Sequence, residues 1–400
     1  MSDLPALADA AFMHMPRSVG AVLLAAVVFA AGCTTQVAAT PTPSPVPSIP
    51  PSTEPPSPSP SPSSVPTVQL EAAGVPESAI GSSTLAIVTG GEGLVAIGFN
   101  GGFGSILWTS TDGRTWTDVT PENFASIGIT NVAEFDGGLV GVGRGDTINI
   151  ENELAAVYRS DDGLTWRMVE GGDEMRGQLI DVVATDDGLY AVGGVPGADA
   201  AGVWFSADGE TWQRTGGDFD HAFMWSIAEG GPGLVAVGWR RNPDPDLAVW
   251  TSADGVEWTL SPDPEGFAGY EATDVVAHEG TLVMVGSSFT GEGGRVWFSD
   301  DGVAWGLADV AGGMDGSYAR SVAITPTGLV AVGGNDAMEG LAWFSTDGRS
   351  WEPLGDPVPN AFFTGAVSTD TGLLLTGATQ LGTLETGIEA HAMVWAATAD

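Results

Sequence analysis

A nine-residue string, Trp-x-Ser-x-Asp-Gly-x-x-Trp, returns along this 400-residue chain at nearly constant intervals, and that periodicity constrains the fold more than any other feature. It stands at Trp108–Trp116, Trp204–Trp212, Trp250–Trp258, Trp297–Trp305 and Trp343–Trp351, and Tyr158–Trp166 is the same unit with Tyr in first place. The closing Trp residues are 50, 46, 46, 47 and 46 residues apart. Starting 15 to 20 residues before each opening aromatic lies a second apolar string: from Gly93, Gly138, Gly188, Gly233, Thr281 and Gly328. A seventh copy starts at Gly372 and runs into the last strand-like segment.

Each period reads as four short antiparallel strands. In the third unit they are Leu179–Thr185, Leu189–Gly193, Gly202–Ser206 and Thr211–Thr215. Asp-Gly between the third and fourth is a strong hairpin signal, because Gly accepts positive φ and Asp bonds its own turn. One such sheet exposes both faces, so the copies must stack around an axis to bury them. The pattern predicts an all-β fold: a seven-bladed β-propeller of four-stranded blades over residues 67–400. The seventh unit lacks its outer strand. Val68–Glu71 is expected to supply it beside Met393–Ala397 and so close the ring.

The N-terminus reads as an address. Thirteen apolar residues, Val19–Ala31, follow Arg17, too few to span a membrane. Residues 1–33 therefore read as a secretory signal, with Met13 or Met15 as alternative starts. Ala30-Ala31-Gly32-Cys33 resembles the lipobox of bacterial lipoproteins, which implies a lipid on Cys33, although that family usually has Leu at the position of Ala30. A cleaved signal with an incidental Cys is the other reading. Residues 34–66 are Pro/Ser/Thr-rich, with 12 Pro among the 26 residues from Pro41 to Pro66. Such a stretch favours polyproline II and makes a tether reaching up to about 80 Å, at about 3.1 Å per residue.

Composition excludes several functions. There are 51 acidic residues against 12 basic ones, all Arg, for a net charge of −39. Phosphate neutralisation needs clustered cations, so no nucleic-acid partner is expected. The one Cys permits no intramolecular disulfide. No metal-ligand spacing, cofactor motif or Ser-His-Asp arrangement is visible. His14, His221, His278 and His391 are scattered.

The six strings resemble the Asp-box of sialidase-type propellers, which sits at the turn between the third and fourth strands of a blade. Here every copy is one residue shorter between Asp and Trp than the common family pattern, which points to a tighter turn. On this resemblance Asp112, Asp162, Asp208, Asp254, Asp301 and Asp347 are structural turn residues, and ligand pockets form on the face opposite the boxes. Residues that break the repeat in that region are the candidate site. Trp225 and Trp239 are the two Trp outside the repeated positions, and Trp239 precedes the only adjacent basic pair, Arg240-Arg241. Asp218, Asp220, His221 and Phe223 lie in the same unit's entry loop, while Tyr270-Glu271 and Tyr318-x-Arg320 lie in the next two. Aromatic faces suit sugar rings and Arg suits carboxylates. Packing of the channel mouth, with the Arg pair balancing local Asp, is the alternative. The inner-strand positions Ala86, Asn131, Asp181, Ser226, Asp274, Ser321 and Gly365 are small or polar, as an ordinary wet channel lining requires.

The resulting expectation is a monomer anchored by lipid to the cell membrane on its extracytoplasmic face, without cofactor, binding a protein or glycan. The resemblance also allows a sialidase-like glycoside hydrolase. Its family's Arg-Ile-Pro motif is absent. Tyr318 with Glu271 would be the candidate nucleophile pair, and Arg320, Arg241 and Arg176 the candidate carboxylate clamps.

Overall fold

A computed structural model describes residues 68–399 apart from 91–92, 100–103, 123, 125–127, 145–154, 170–176, 196–198, 218, 263–265 and 384–386. The signal segment, Cys33, the tether, Arg176 and Asp218 lie outside the described residues.

The described chain is all-β apart from short 3-10 turns such as Glu77–Ala79. Its strands form seven antiparallel sheets arranged as blades of a propeller ring. Blade four is representative, with strands Ala222–Gly230, Gly233–Arg241, Pro245–Ser252 and Thr259–Leu260 from axis to rim. Blade six gains extra pairing, because Asp309–Val310 lies parallel to its outer strand Ser350–Pro353 and Val358–Pro359 pairs with its third strand. Outer strands of blades one to five are only two or three residues long, which leaves little free edge for another chain to extend.

Closure runs through blade seven. Val68–Ala72 pairs antiparallel with Gly387–Ala399, in register from Val68 opposite Ala399 to Ala72 opposite Trp395. The first strand of the chain thus supplies the outer strand of the last blade. Its partner is Trp395–Ala399, two residues further along than expected from the sequence.

The core is divided among the blade interfaces. Seven apolar clusters each join two neighbouring blades, the last joining seven to one. Trp108, Trp204 and Trp250 are fully buried at these seams, so the repeated aromatic fills the space between sheets. At about 25 cal/mol per Å², burying side chains of this size is the dominant favourable contribution of each seam.

The turns explain the repeated string. In the third copy Asp208 Oδ1 accepts the backbone N–H groups of Glu210 (2.8 Å) and Thr211 (2.7 Å) and the hydroxyl of Ser206 (3.1 Å). Ser206 Oγ in turn accepts the N–H of Gly209 at 2.8 Å. The same arrangement recurs in all six boxes. Gly is required twice over at the central position. Gly255 has φ +70°, and a Cβ there would come within 2.1 Å of the Tyr190 hydroxyl of the preceding blade.

Candidate functional site

Strand direction fixes which face carries what. Each third strand ends at its box, so the boxes share one face. The inner strands begin, and the second strands end, on the opposite face. There the start of Ala222–Gly230 and the end of Gly233–Arg241 place Phe223 directly across from Trp239, and Ala222 across from Arg240.

Three aromatic rings meet at this edge. The Phe223 and Trp225 ring centroids are 4.5 Å apart, and Phe223 and Trp239 lie nearly parallel at 6.4 Å. The Arg241 guanidinium sits 5.8 Å from the Trp239 centroid. All three rings are half-buried. The Phe223 ring rests on blade three, where a Cβ added to Gly194 would come within 2.5 Å of it. Trp225 reaches the other way and donates its indole N–H to Glu271 Oε2 of blade five at 3.0 Å.

An ionic group flanks the rings. His221 Nδ1 lies 2.7 Å from Asp199 Oδ2, and Arg241 approaches Asp199 Oδ1 at 3.6 Å. Arg240 donates through Nε to the Asp220 carbonyl at 3.2 Å. Both His221 (φ 56°) and Asp199 (φ 47°) adopt the left-handed conformation. The positions equivalent to His221 are Gly269 and Gly316 in blades five and six and Asn360 in blade seven, identified by the same backbone bond from a residue twenty later. Blade four thus holds an imidazole in a conformation for which the next two blades use Gly. Such a conformation costs free energy and is retained only where the surroundings enforce it. Asp199 carries no sequence signal, because it enters the site only through this turn.

Every inner strand carries a bulge at the same register, leaving one residue unpaired: Trp225 in blade four, Thr273 in five, Arg320 in six. In blades two and five a Thr fills the position. Thr130 Oγ1 donates to the carbonyl of Val142 (2.9 Å) or of Leu179 in the next blade (2.8 Å), and Thr273 makes the corresponding pair with Val285 and Ala319. Trp225 and Arg320 replace this stitch with a large side chain on either side of blade five. Arg320 is exposed and makes no hydrogen bond or ion pair among the described residues.

Tyr318 and Arg320 sit on blade six, and among the described residues no hydrogen bond or ring contact joins them to the blade-four cluster. The Tyr318 hydroxyl lies over its own second strand, where a Cβ at Gly334 would come within 2.6 Å of it. Burial pushes its pKa up. Tyr270 is buried beneath Arg295, whose guanidinium is 4.1 Å from the ring.

The polar inner-strand positions do more than line a channel. Asn131 Nδ2 donates to Asp181 Oδ1 at 2.5 Å, and the Ile227 N–H to Asp181 Oδ2 at 2.9 Å. Ser226 Oγ donates to Asp274 Oδ1 at 2.9 Å, and Ser321 Oγ to Asp274 Oδ2 at 2.7 Å. These bonds link blades two to six in sequence around the axis. Gly365 and Ala86, in blades seven and one, have no side-chain group to continue the belt. A surface cleft of about 250 Å³ lies apart from both features, on the rim of blade six between Ala311–Asp315 and Pro353–Pro357. Among the described residues no group of three or more His, Cys, Asp or Glu could hold a metal ion.

No protein-family model matches the chain, and no curated protein matches it. Solved structures of similar architecture include Trypanosoma rangeli sialidase with the inhibitor DANA, 14% identical, covering 72% of this chain and 57% of that one, with a TM-score of 0.42. The GH74 xyloglucanase from Xanthomonas campestris is 16% identical, covering 71% and 49%, with a TM-score of 0.45. A protein from Lactobacillus plantarum is 11% identical, covering 81% and 96%, with a TM-score of 0.46. The chain spans only about half to three-fifths of the length of the two named enzymes. Identities and scores this low transfer no residue role. The chain is a seven-bladed β-propeller with sialidase-like structural neighbours of low sequence identity.

Proposed function

We propose that this propeller is a non-enzymatic binding module, carried outside the cytoplasm on a lipid-anchored tether and recognising a protein or glycan through the face opposite the boxes. One observation carries the reading: Phe223 lies against Trp225 and parallel to Trp239, all three half-buried, with Arg241 over Trp239 and His221 held at a left-handed turn directly before the strand of Phe223 and Trp225. Half-buried aromatic faces offer large contact area at low entropic cost, and they suit the C–H faces of sugars or apolar side chains of a protein. Arg241 and His221 add direction through hydrogen bonding.

The hydrolase alternative needs an activated nucleophile. A Tyr serves as one only when its pKa is lowered or a base stands beside it, whereas burial raises that of Tyr318. Glu271 is engaged by the indole of Trp225. The binding reading therefore expects no turnover of fluorogenic sialosides by the purified domain.

The test of the site is the double variant Trp239→Ala with Arg241→Ala, compared with the parent on a glycan array and in pull-downs from extracytoplasmic extracts. Loss of a specific interaction, with the thermal midpoint unchanged, supports the reading. Binding that survives both substitutions removes the site. Cys33→Ser should release the protein from the membrane fraction, and retention there would overturn the anchor.

A further inference from the structure

We propose that the ligand of this face is a neutral glycan, a hexopyranose whose hydroxyls are read by Asp199, His221 and Arg241 and whose C–H face rests on Trp239 and Phe223. The inference rests on the binding reading above and names the ligand class for the same site.

The polar half of the site is built before any ligand arrives. The His221 N–H donates to the Asp199 carbonyl at 2.7 Å, and the Arg241 N–H donates to the His221 carbonyl at 2.8 Å. Three separate chain segments are thereby fixed to one another through the backbone. Their side chains meet as well. His221 Nδ1 holds Asp199 Oδ2 at 2.7 Å, which leaves Nε2 of the imidazole to face a ligand. Arg241 stands 3.6 Å from Asp199 Oδ1, too far for a hydrogen bond, and the side chains of Asp199 (51%) and Arg241 (47%) are about half exposed. The result is an open guanidinium–carboxylate gap with a donor on one side and an acceptor on the other. A hydroxyl both donates and accepts. Two neighbouring hydroxyls of a sugar ring therefore close the gap, one giving to Asp199 and the other taking from Arg241. Because the unit is fixed in the free protein, little side-chain freedom is lost on binding.

Charge decides between ligand classes. Arg241 faces Asp199, Arg240 donates to the Asp220 carbonyl at 3.2 Å, and Glu271 accepts the indole N–H of Trp225. An anionic ligand would compete with Asp199 for Arg241, and it would approach a chain of net charge −39 against long-range repulsion. A cationic ligand would meet the adjacent Arg240 and Arg241. An uncharged polyol avoids both conflicts and uses both halves of the gap. The aromatic half of the site begins where the polar half ends: Trp239 lies 5.8 Å from the Arg241 guanidinium and nearly parallel to Phe223. One strand end thus presents an apolar face and a hydroxyl-reading group together, as the two faces of a pyranose require.

The test is calorimetric titration of the purified propeller with neutral glucose, galactose and mannose oligosaccharides, with sialylated forms of the same sugars and with an oligolysine peptide. A neutral oligosaccharide is expected to bind, with affinity nearly unchanged between low and physiological salt. Asp199→Asn and His221→Gly should each weaken it about tenfold or more, the loss typical of a hydrogen bond involving a charged group. His221→Gly keeps the backbone, because Gly269 and Gly316 hold the equivalent turns, and an unchanged thermal midpoint separates lost contact from lost fold. Neutral binding that survives both substitutions overturns the inference, and so does the absence of any neutral binding. Preference for the sialylated sugars or for oligolysine, lost in Trp239→Ala, overturns the neutral class and leaves the binding reading standing. The same holds for a protein partner captured in pull-downs and released by Trp239→Ala with Arg241→Ala.

Discussion

Ser206 and Asp208 illustrate how two neighbouring polar residues in one turn differ in worth. Ser206 is buried and its hydroxyl satisfies the buried N–H of Gly209. Removing it leaves that donor unpaired, which costs about 1–3 kcal/mol. Asp208 caps two N–H groups that water can reach, so its loss costs less. Denaturant unfolding should therefore rank Ser206→Ala below Asp208→Ala, and the reverse order would contradict the turn's arrangement. Trp204, fully buried between blades two and three, belongs to the costliest class: Trp204→Ala should lose about 3–5 kcal/mol through transfer and cavity terms. The structural positions of all these residues were legible from the repeat. Asp199 was not, since only the left-handed turn at His221 brings its carboxylate into place.

At the scale of strands, the fold depends on one long-range pairing. Val68–Ala72 pairs with the outer edge of Gly387–Ala399, which Ile80 bridges once more at His391, and Val68 and Leu70 pack into the seam between blades six and seven. Deleting residues 67–73 should lower the thermal midpoint sharply, because an open blade edge and an uncovered seam result. The exposed Arg114–Glu71 ion pair on the same strand should matter little. Arg114→Ala is expected to leave the midpoint nearly unchanged, as surface pairs are worth about 0–1 kcal/mol. A large loss from the point substitution, or none from the deletion, would show that closure works differently. The bulges are the element-scale feature hidden from the sequence. Alignment on the second-strand Gly found Asp181, Ser226 and Asp274, but only the register shift turns them to bridge successive blades.

For the whole molecule, two sets of carboxylates shape stability against pH. The box residues Asp112, Asp162, Asp208, Asp254 and Asp301 have lowered pKa values, chiefly from backbone N–H donors. In Asp347 desolvation is the largest influence, but the hydrogen bonds outweigh it and the value is again lowered. A lowered folded pKa gives stability that is present above the unfolded value and lost as pH falls through the folded one. Asp181 has the opposite sign: its contribution is complete below the unfolded value of 3.8 and is lost as pH rises through about 6. Calorimetry should find the highest midpoint between these limits, with a decline toward pH 7.5 that Asp181→Asn flattens and a steeper decline in stronger acid. A maximum at pH 8 would refute this assignment. The net charge of −39 adds self-repulsion at neutral pH, so moderate salt should raise the midpoint there and do less near pH 4.5.

Periodicity determined the ring from the sequence alone. A four-stranded sheet repeated seven times with apolar residues on both faces can bury them only against its own copies, and the count of copies sets the number of blades. Turn chemistry was equally local, since Asp and Gly act on their immediate neighbours. Side-chain direction was decided by the tertiary structure. Whether Tyr318 turns to its own blade, whether Trp225 reaches Glu271, and whether Asp181 meets the Ile227 N–H all depend on the bulge register and on how adjacent blades are offset. Those are properties of packed sheets, and no window of one repeat contains them.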